Sequence, residues 1–372
     1  MFDKLELEGQ LYKHRQCLHA IPELGKKEFE TAKYIRDYLE SLGVEYEAVA
    51  DTGTVGIIKG KKPKKTIAFR SDIDALFSIE GPKHLCGHDG HMSVLLGIIE
   101  YLKKNQDRLN DNIVFIFQPA EEGPGGAQDI INAGVFEKYS IDEIYGLHIY
   151  PDIPEGYVGV RSGYFMAQIG DVDIDIKAKS GHGAMPENAV DAIIIAANFV
   201  ETIQSIVSRN ISPVDNAVLT IGKFSGGSRR NIIAGDVRLE GTMRTFKPDV
   251  YEKMKERVRN IAKGFEMAYG CEIEVNIKDD YKAVNNDKDL YHEFVLAVGK
   301  ENIIELDPLM ISEDFSYYQK VVPGLFFMLG AKNEKKGYIN DLHNINFNFD
   351  EKILMNAIEV YVKLLKYKKS ID

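Results

Sequence analysis

The hydrophobic pattern of this chain changes near residue 167, and that change limits the folds open to it. Before it, apolar residues run together, as in Ile113-Val114-Phe115-Ile116-Phe117. A strand can be apolar on both sides only where helices cover both faces of its sheet. After it, polar and apolar residues alternate strictly in Asp171-Val172-Asp173-Ile174-Asp175-Ile176-Lys177, in Val237 to Met243 and in Glu272 to Ile277. Alternation gives one packed face and one wet face. Helical spacing over 28–42 (Ala32, Ile35, Leu39, Leu42, then the stop Gly43) and over 91–104 (Leu95, Ile98, Ile99, Leu102) separates strands expected at 54–58, 66–70, 113–117 and 144–149. Strands alternating with helices imply an α/β fold with a mostly parallel sheet flanked by helices. Helices at 189–208 and 249–269 separate the alternating strands instead, which reads as a smaller α+β domain. The expected organisation is a first domain over 1–166 and 283–372, resumed by helices at 287–300 and 351–367, with an insertion over 167–282. A chain of 372 residues has room for both cores.

In sheets of this kind ligands bind beyond the carboxyl ends of the strands. Chemistry collects at those ends here. Asp72 and Asp74 follow the strand ending at Arg70, Gln118-Pro119-Ala120-Glu121-Glu122-Gly123 follows Phe117, and His148 lies near the end of the next strand. Cys86-Gly87-His88-Asp89-Gly90-His91 packs a thiol, two imidazoles and a carboxylate into six residues, a ligand set suited to zinc, manganese or cobalt. Leu342-His343-Asn344 adds one more imidazole. Two divalent ions about 4 Å apart can activate a nucleophile and polarise a carbonyl, and such a site needs a shared ligand. Cys86, His88, Glu122, His148 and His343 make a plausible set. Taken alone, Cys86 reads as an inert buried thiol and His148 or His343 as a core histidine; each gains weight from the others. Two carboxylates side by side at Glu121-Glu122 repel unless one binds a cation, which leaves the other free to take a proton from the attacking water and pass it to a leaving amine. The plain alternative is a solvated acidic turn. Asp72 and Asp74 fit a role in orienting a ligand histidine or binding metal directly. Asp89 fits a support for His88, and His91 the start of a helix.

In the inserted region, Ser180-Gly181-His182-Gly183-Ala184-Met185-Pro186 places a histidine between glycines, a poor packing position and a good one for stabilising an oxyanion. Arg229, Arg230, Asn231 and Arg244 offer donors for a substrate carboxylate, against the alternative of an exposed turn.

Other classes are disfavoured. Net charge is −11, and the lysines between Lys59 and Lys65 read as a solvated turn, so no nucleic-acid partner is expected. No apolar run reads as a membrane span, the opening Met1 to Glu6 is charged, and three dispersed cysteines form no disulfide framework; a cytoplasmic protein is expected. There is no dinucleotide fingerprint and no phosphate loop after Gly123-Pro124-Gly125-Gly126.

The ordered motifs resemble the aminoacylase and carboxypeptidase family of dinuclear metallo-amidohydrolases, in the branch holding hippurate hydrolases, auxin-conjugate hydrolases and N-acetyldiaminopimelate deacetylases. They are His19-Ala20-Ile21-Pro22-Glu23-Leu24-Gly25, Ser71 to Leu76, Cys86 to His91, Gln118 to Gly126, Gly146-Leu147-His148, Ser180 to Pro186, Asn231-Ile232-Ile233, Gly241 to Thr245, Ser312-Glu313-Asp314-Phe315 and Leu342-His343-Asn344. The resemblance implies a catalytic domain and an inserted lid that also dimerises. It implies two divalent ions per subunit (manganese, cobalt, zinc or nickel) on Cys86, His88, Glu122, His148 and His343. Glu121 would be the general base and Asp74 the support of a metal ligand. His182 would steady the tetrahedral intermediate, often in the partner subunit's site, while Asn231 and Arg244 would hold the substrate carboxylate. The substrate implied is an N-acyl amino acid. Gly123 to Ala127 and the stretch from Ser208 to Asn231 look closest to the deacetylases of lysine biosynthesis, where Arg230 would meet an extra carboxylate. Hippurate hydrolysis, broad aminoacylase or carboxypeptidase activity, and a catalytically silent metal binder, are the alternatives. Two departures stand out: only Phe77 to Leu85 separate the aspartates from Cys86, and Glu187 follows Pro186 where relatives usually carry histidine.

Overall fold

The computed structural model describes residues 4–372; Met1 to Asp3, part of the charged opening, lie outside the described residues. It contains two compact units, one made of the chain up to 165 with 285–307 and 314–372, the other of 166–284 with 308–313.

The first unit is built on an eight-stranded sheet. Its middle is four parallel strands in the order Asn112–Gln118, Thr66–Asp72 (β3), Glu143–Pro154 and Gly324–Lys332. Beside Asn112–Gln118 run Gly53–Ile58 (β2) and then Glu45–Val49 (β1), both antiparallel to their neighbours. Register decides what the strands present together. Asp72 pairs with Gln118, and Arg70 pairs with Gly146, so Asp72, Gln118 and His148 fall on one row at the carboxyl ends. The strands are buried along nearly their whole length, as continuous apolar runs require.

Helices cover this sheet. Lys4–His19 (α1) buries Leu7, Leu11, His14 and Leu18, one face at three- and four-residue spacing. Phe29–Ser41 (α2) buries Thr31, Ala32, Ile35 and Leu39. His88–Lys104 (α3) is sunk on all sides from His88 to Leu102, so its first turn lies inside the protein. Gly87 precedes it at φ +92°, a conformation that glycine adopts without steric cost. A thiol at 86 and an imidazole at 88 are thereby turned toward the same interior region.

The second unit is an antiparallel sheet in the order Ala217–Gly226, Asp236–Thr245, Gln168–Lys177, Glu272–Asp279. Val172, Ile174 and Ile176 pack into its core with Ala192–Ser205 and Pro248–Tyr269, while Asp173 and Asp175 on the wet face pair with Arg238. One expectation is corrected. The stretch Ala192–Asn210 is long and apolar enough to cross a membrane by length and composition. It buries Ala192, Ile195, Ala196, Phe199 and Ile203 in this core, while Ile193 and Ile194 are exposed.

Candidate metal centre

Five side chains from four separate segments meet at the strand ends of the first unit. Cys86 is buried, with its Sγ 3.4 Å from His148 Nε2 and 3.3 Å from His343 Nε2. Glu122 Oε1 lies 3.4 Å from His343 Nε2 and 3.9 Å from His88 Nε2. Two overlapping ligand groups result, Cys86-His88-His148 and Cys86-Glu122-His343, and Cys86 belongs to both. Glu121 is buried, and its carboxylate falls within 4.8 Å of the ligand atoms of His88 and Glu122.

Tautomers are fixed from behind. The Nδ1–H of His88 donates to the Asp74 carbonyl at 2.9 Å, and that of His148 donates to the Ile149 carbonyl at 2.7 Å. Both Nε2 atoms therefore face the cage, the arrangement of a ligating imidazole held by an outer hydrogen bond. His88 Nε2 and Glu122 Oε1 are buried with no hydrogen-bond partner among the described residues. Buried polar atoms are rarely left so. The donor set of one thiol, three imidazoles and a carboxylate fits a borderline divalent cation.

Electrostatics agree. Burial disfavours the charged form of His88, but Asp72, Asp74 and Glu122 outweigh it and raise its pKa to about 10. Burial, then Glu122 and Glu121, push the Cys86 thiol well above its ordinary range. Burial, then His91, keep His148 neutral. The anionic cage thus holds a proton on His88 in the place of a cation.

Asp74 is fully buried; its Oδ2 accepts the Glu122 N–H at 3.0 Å and its Oδ1 lies 3.3 Å from His88 Nδ1. Asp72 is held otherwise. Its Oδ2 pairs with the buried Arg70 at 2.9 Å, and its Oδ1 accepts from His91 Nδ1 at 2.7 Å. His91 Nε2 in turn accepts the Ile149 N–H at 2.9 Å, so both nitrogens are used and neither is left for a cation. His91 is more than a helix start: it clamps the strand next to His148. Asp89 does not reach toward His88 as expected; it meets His19 at 2.7 Å and Arg15 at 3.1 Å. Arg70, Gln118 and Asp314 form a buried polar knot beneath the site. The signal for Arg70 was in the sequence, since a charge between Phe69 and Ser71 in a buried strand demands partners.

The remaining predicted residues lie in the second unit. His182 is exposed and pairs with Ile232 across the two-stranded ladder Gly181–His182 and Ile232–Ile233, which brings Asn231 to the Gly183 N–H. Arg230 is exposed, and Arg244 Nη1 donates to the Met310 carbonyl at 2.7 Å.

Known proteins share this pattern. The sequence profile of peptidase family M20/M25/M40 matches residues 68–367. The chain is 38% identical over 375 residues to an N-acetyldiaminopimelate deacetylase of Bacillus pumilus, covering 96% of this chain and 97% of that protein. The protein of the same name in Listeria innocua is 38% identical over 370 residues, covering 95% and 98%. Among solved structures, the Bacillus subtilis YXEP protein, described as a dinuclear metal binding peptidase from the M20 family, superposes with a TM-score of 0.84 at 30% identity, covering 96% and 97%. The motifs, the shared fold and the match across most of its length agree: this chain belongs to peptidase family M20/M25/M40.

Proposed function

We propose that this protein is a metal-dependent amidohydrolase that deacetylates N-acetyldiaminopimelate in lysine biosynthesis. The observation that carries the reaction class is the pair of ligand groups sharing Cys86 beside the buried Glu121. The substrate rests on relatives of that name at 38% identity over nearly the whole chain. Cys86, His88, Glu122, His148 and His343 hold two divalent cations, manganese, cobalt, zinc or nickel. Bound there, such ions supply Lewis-acid polarisation of the scissile carbonyl and make a water more acidic. Glu121 takes the proton of the attacking water and delivers it to the amine nitrogen as the C–N bond breaks, leaving acetate and a free amino group. Asp74 orients His88 and Glu122. His182 donates to the oxyanion of the tetrahedral intermediate, and Asn231 and Arg244 hold the α-carboxylate. Arg230 meets the second carboxylate that distinguishes diaminopimelate from ordinary amino acids. The enzyme works as a cytoplasmic homodimer joined through the second unit. A panel of N-acyl amino acids, each assayed with manganese, cobalt and zinc, tests this reading. N-acetyldiaminopimelate should give the highest kcat/KM, and Cys86→Ser should lose bound metal and activity together. A preference for benzoyl substrates or dipeptides would overturn the substrate. Full metal content with normal turnover in Cys86→Ser would overturn the site.

A further inference from the structure

The Pro22-Glu23-Leu24-Gly25 motif and Glu28 beyond it have no part in the chemistry above, yet they form one wall of the loop that carries Glu121. Leu24 bridges Ala75 in parallel, and the Ala75 N–H donates to the Glu23 carbonyl at 2.7 Å. At Gly25 a Cβ would stand 2.5 Å from the Gly123 carbonyl oxygen and 3.0 Å from Ala120 Cα, so no side chain fits between the two segments. The Glu23 carboxylate then accepts the Thr31 N–H at 2.9 Å and the Glu30 N–H at 3.2 Å, which settles where α2 begins.

Glu28, at the head of that helix, is fully buried. Its Oε1 accepts the Ala120 N–H at 2.8 Å and its Oε2 accepts from the Thr52 hydroxyl at 2.6 Å. Ala120 stands at φ +55°, a left-handed conformation that is strained for a residue with a Cβ and persists only where its surroundings enforce it. It is the residue before Glu121. Elsewhere the same loop is held by two other buried carboxylates, Asp74 at the Glu122 N–H and Asp314 at the Gly126 and Ala127 N–H groups. Those two also serve His88 and Arg70. The Glu28 carboxylate ties the loop, through the Ala120 N–H, to the Thr52 hydroxyl.

We propose that Glu28 is a positioning residue: its carboxylate holds the Ala120 N–H and so fixes the left-handed turn that aims Glu121 at the proton it transfers. This rests on Glu121 being the general base. Glu121→Gln tests that premise separately, since it should keep its metal and lower kcat by about 10²–10⁴-fold. If Glu121→Gln turns over within a few-fold of wild type, the premise fails, whatever Glu28 does.

Glu28→Ala should lower kcat by about 10- to 100-fold, because small misplacements of a reacting group are costly, with KM and metal content held near wild type. Glu28→Gln keeps an acceptor at the reach of Ala120, with the Thr52 hydroxyl rotating to accept from its amide, and should recover most of kcat. Glu28→Asp keeps the charge but draws the acceptor back by one methylene, and should fail like alanine. A role through charge or general folding predicts the reverse order, aspartate above glutamine, and that order sinks the proposal. The Gln and Asp pair decides the matter even if Glu28→Ala does not fold. In a Glu121→Gln background, Glu28→Ala should cost nothing further, since its effect passes through a base already removed. An equal loss in both backgrounds also sinks it.

Discussion

On the proposed ligand set, Cys86 and His88 set the proton cost of taking up a cation. Without metal, His88 holds a proton up to pH about 10 and Cys86 is a thiol, because burial and Glu122 disfavour the thiolate. His148 is already neutral. Uptake of a cation by Cys86, His88 and His148 should therefore displace about two protons, and its affinity should rise with pH by up to about 100-fold per unit through the neutral range. Titration of chelator-stripped protein in buffers of different ionisation enthalpy measures the proton count, and a count of zero would contradict this electrostatic account. The candidate ligands drew notice in the sequence because cysteine and histidine are scarce, and the structure brings Cys86, His88, Glu122, His148 and His343 together. The residues that hold them were not legible. His91 looked like the opening of a helix, and Glu28 drew no reading at all, because their partners include the backbone N–H groups of Ile149 and Ala120. A side chain that serves distant backbone leaves no pattern in sequence.

At the scale of elements, α1 meets α2 through a polar contact inside an apolar seam. His14 Nδ1 and the Tyr34 hydroxyl share a hydrogen bond of 2.8 Å, and the His14 ring stands edge-on to Tyr38 at 4.3 Å. Burial depresses the His14 pKa to about 4, from about 6.5 in an unfolded chain. Its folded pKa is the lower one, so the unfolded state takes up the proton first as the pH falls. Stability present above pH 6.5 is lost toward pH 4, and about 2 kcal/mol of it is gone by pH 5. His14→Phe should flatten the fall in urea-unfolding stability between pH 7.5 and 5 by roughly that amount. An unchanged pH dependence would show that His14 is not its source. The strand at 113–117, an unbroken apolar run, the alternating strand at 171–177 and the helix at 249–269 were read correctly from sequence. Several were passed over, among them Glu45–Val49, Ala217–Gly226, Gly324–Lys332 and α1. Gly324–Lys332 is a central strand whose Leu-Phe-Phe-Met-Leu between glycines is an unbroken apolar run, too short for its period to set its element type. α1 has its apolar face spread among glutamates and lysines, and its burial becomes apparent only against the other helices.

For the whole molecule, the proposed dimer makes a sharp prediction. Glu121→Gln and His182→Ala should each be nearly inactive alone. If His182 serves the site of the other subunit, mixed dimers of the two variants regain part of the activity, since one of their two sites has both residues intact. If it serves its own subunit, every site carries one lesion, and subunit exchange restores nothing. Measuring turnover before and after exchange separates the two. The order of the ligands along the chain has another outcome. Cys86, His88 and His148 are all made early, whereas His343 follows Cys86 by 257 residues. At ribosomal speed that gap lasts on the order of tens of seconds. The strand Gly324–Lys332, which lies in the sheet directly beside the strand bearing His148, arrives equally late. On the proposed ligand set, a chain stopped before His343 lacks a member of one of the two ligand groups, so holding two ions together requires synthesis to have passed that residue.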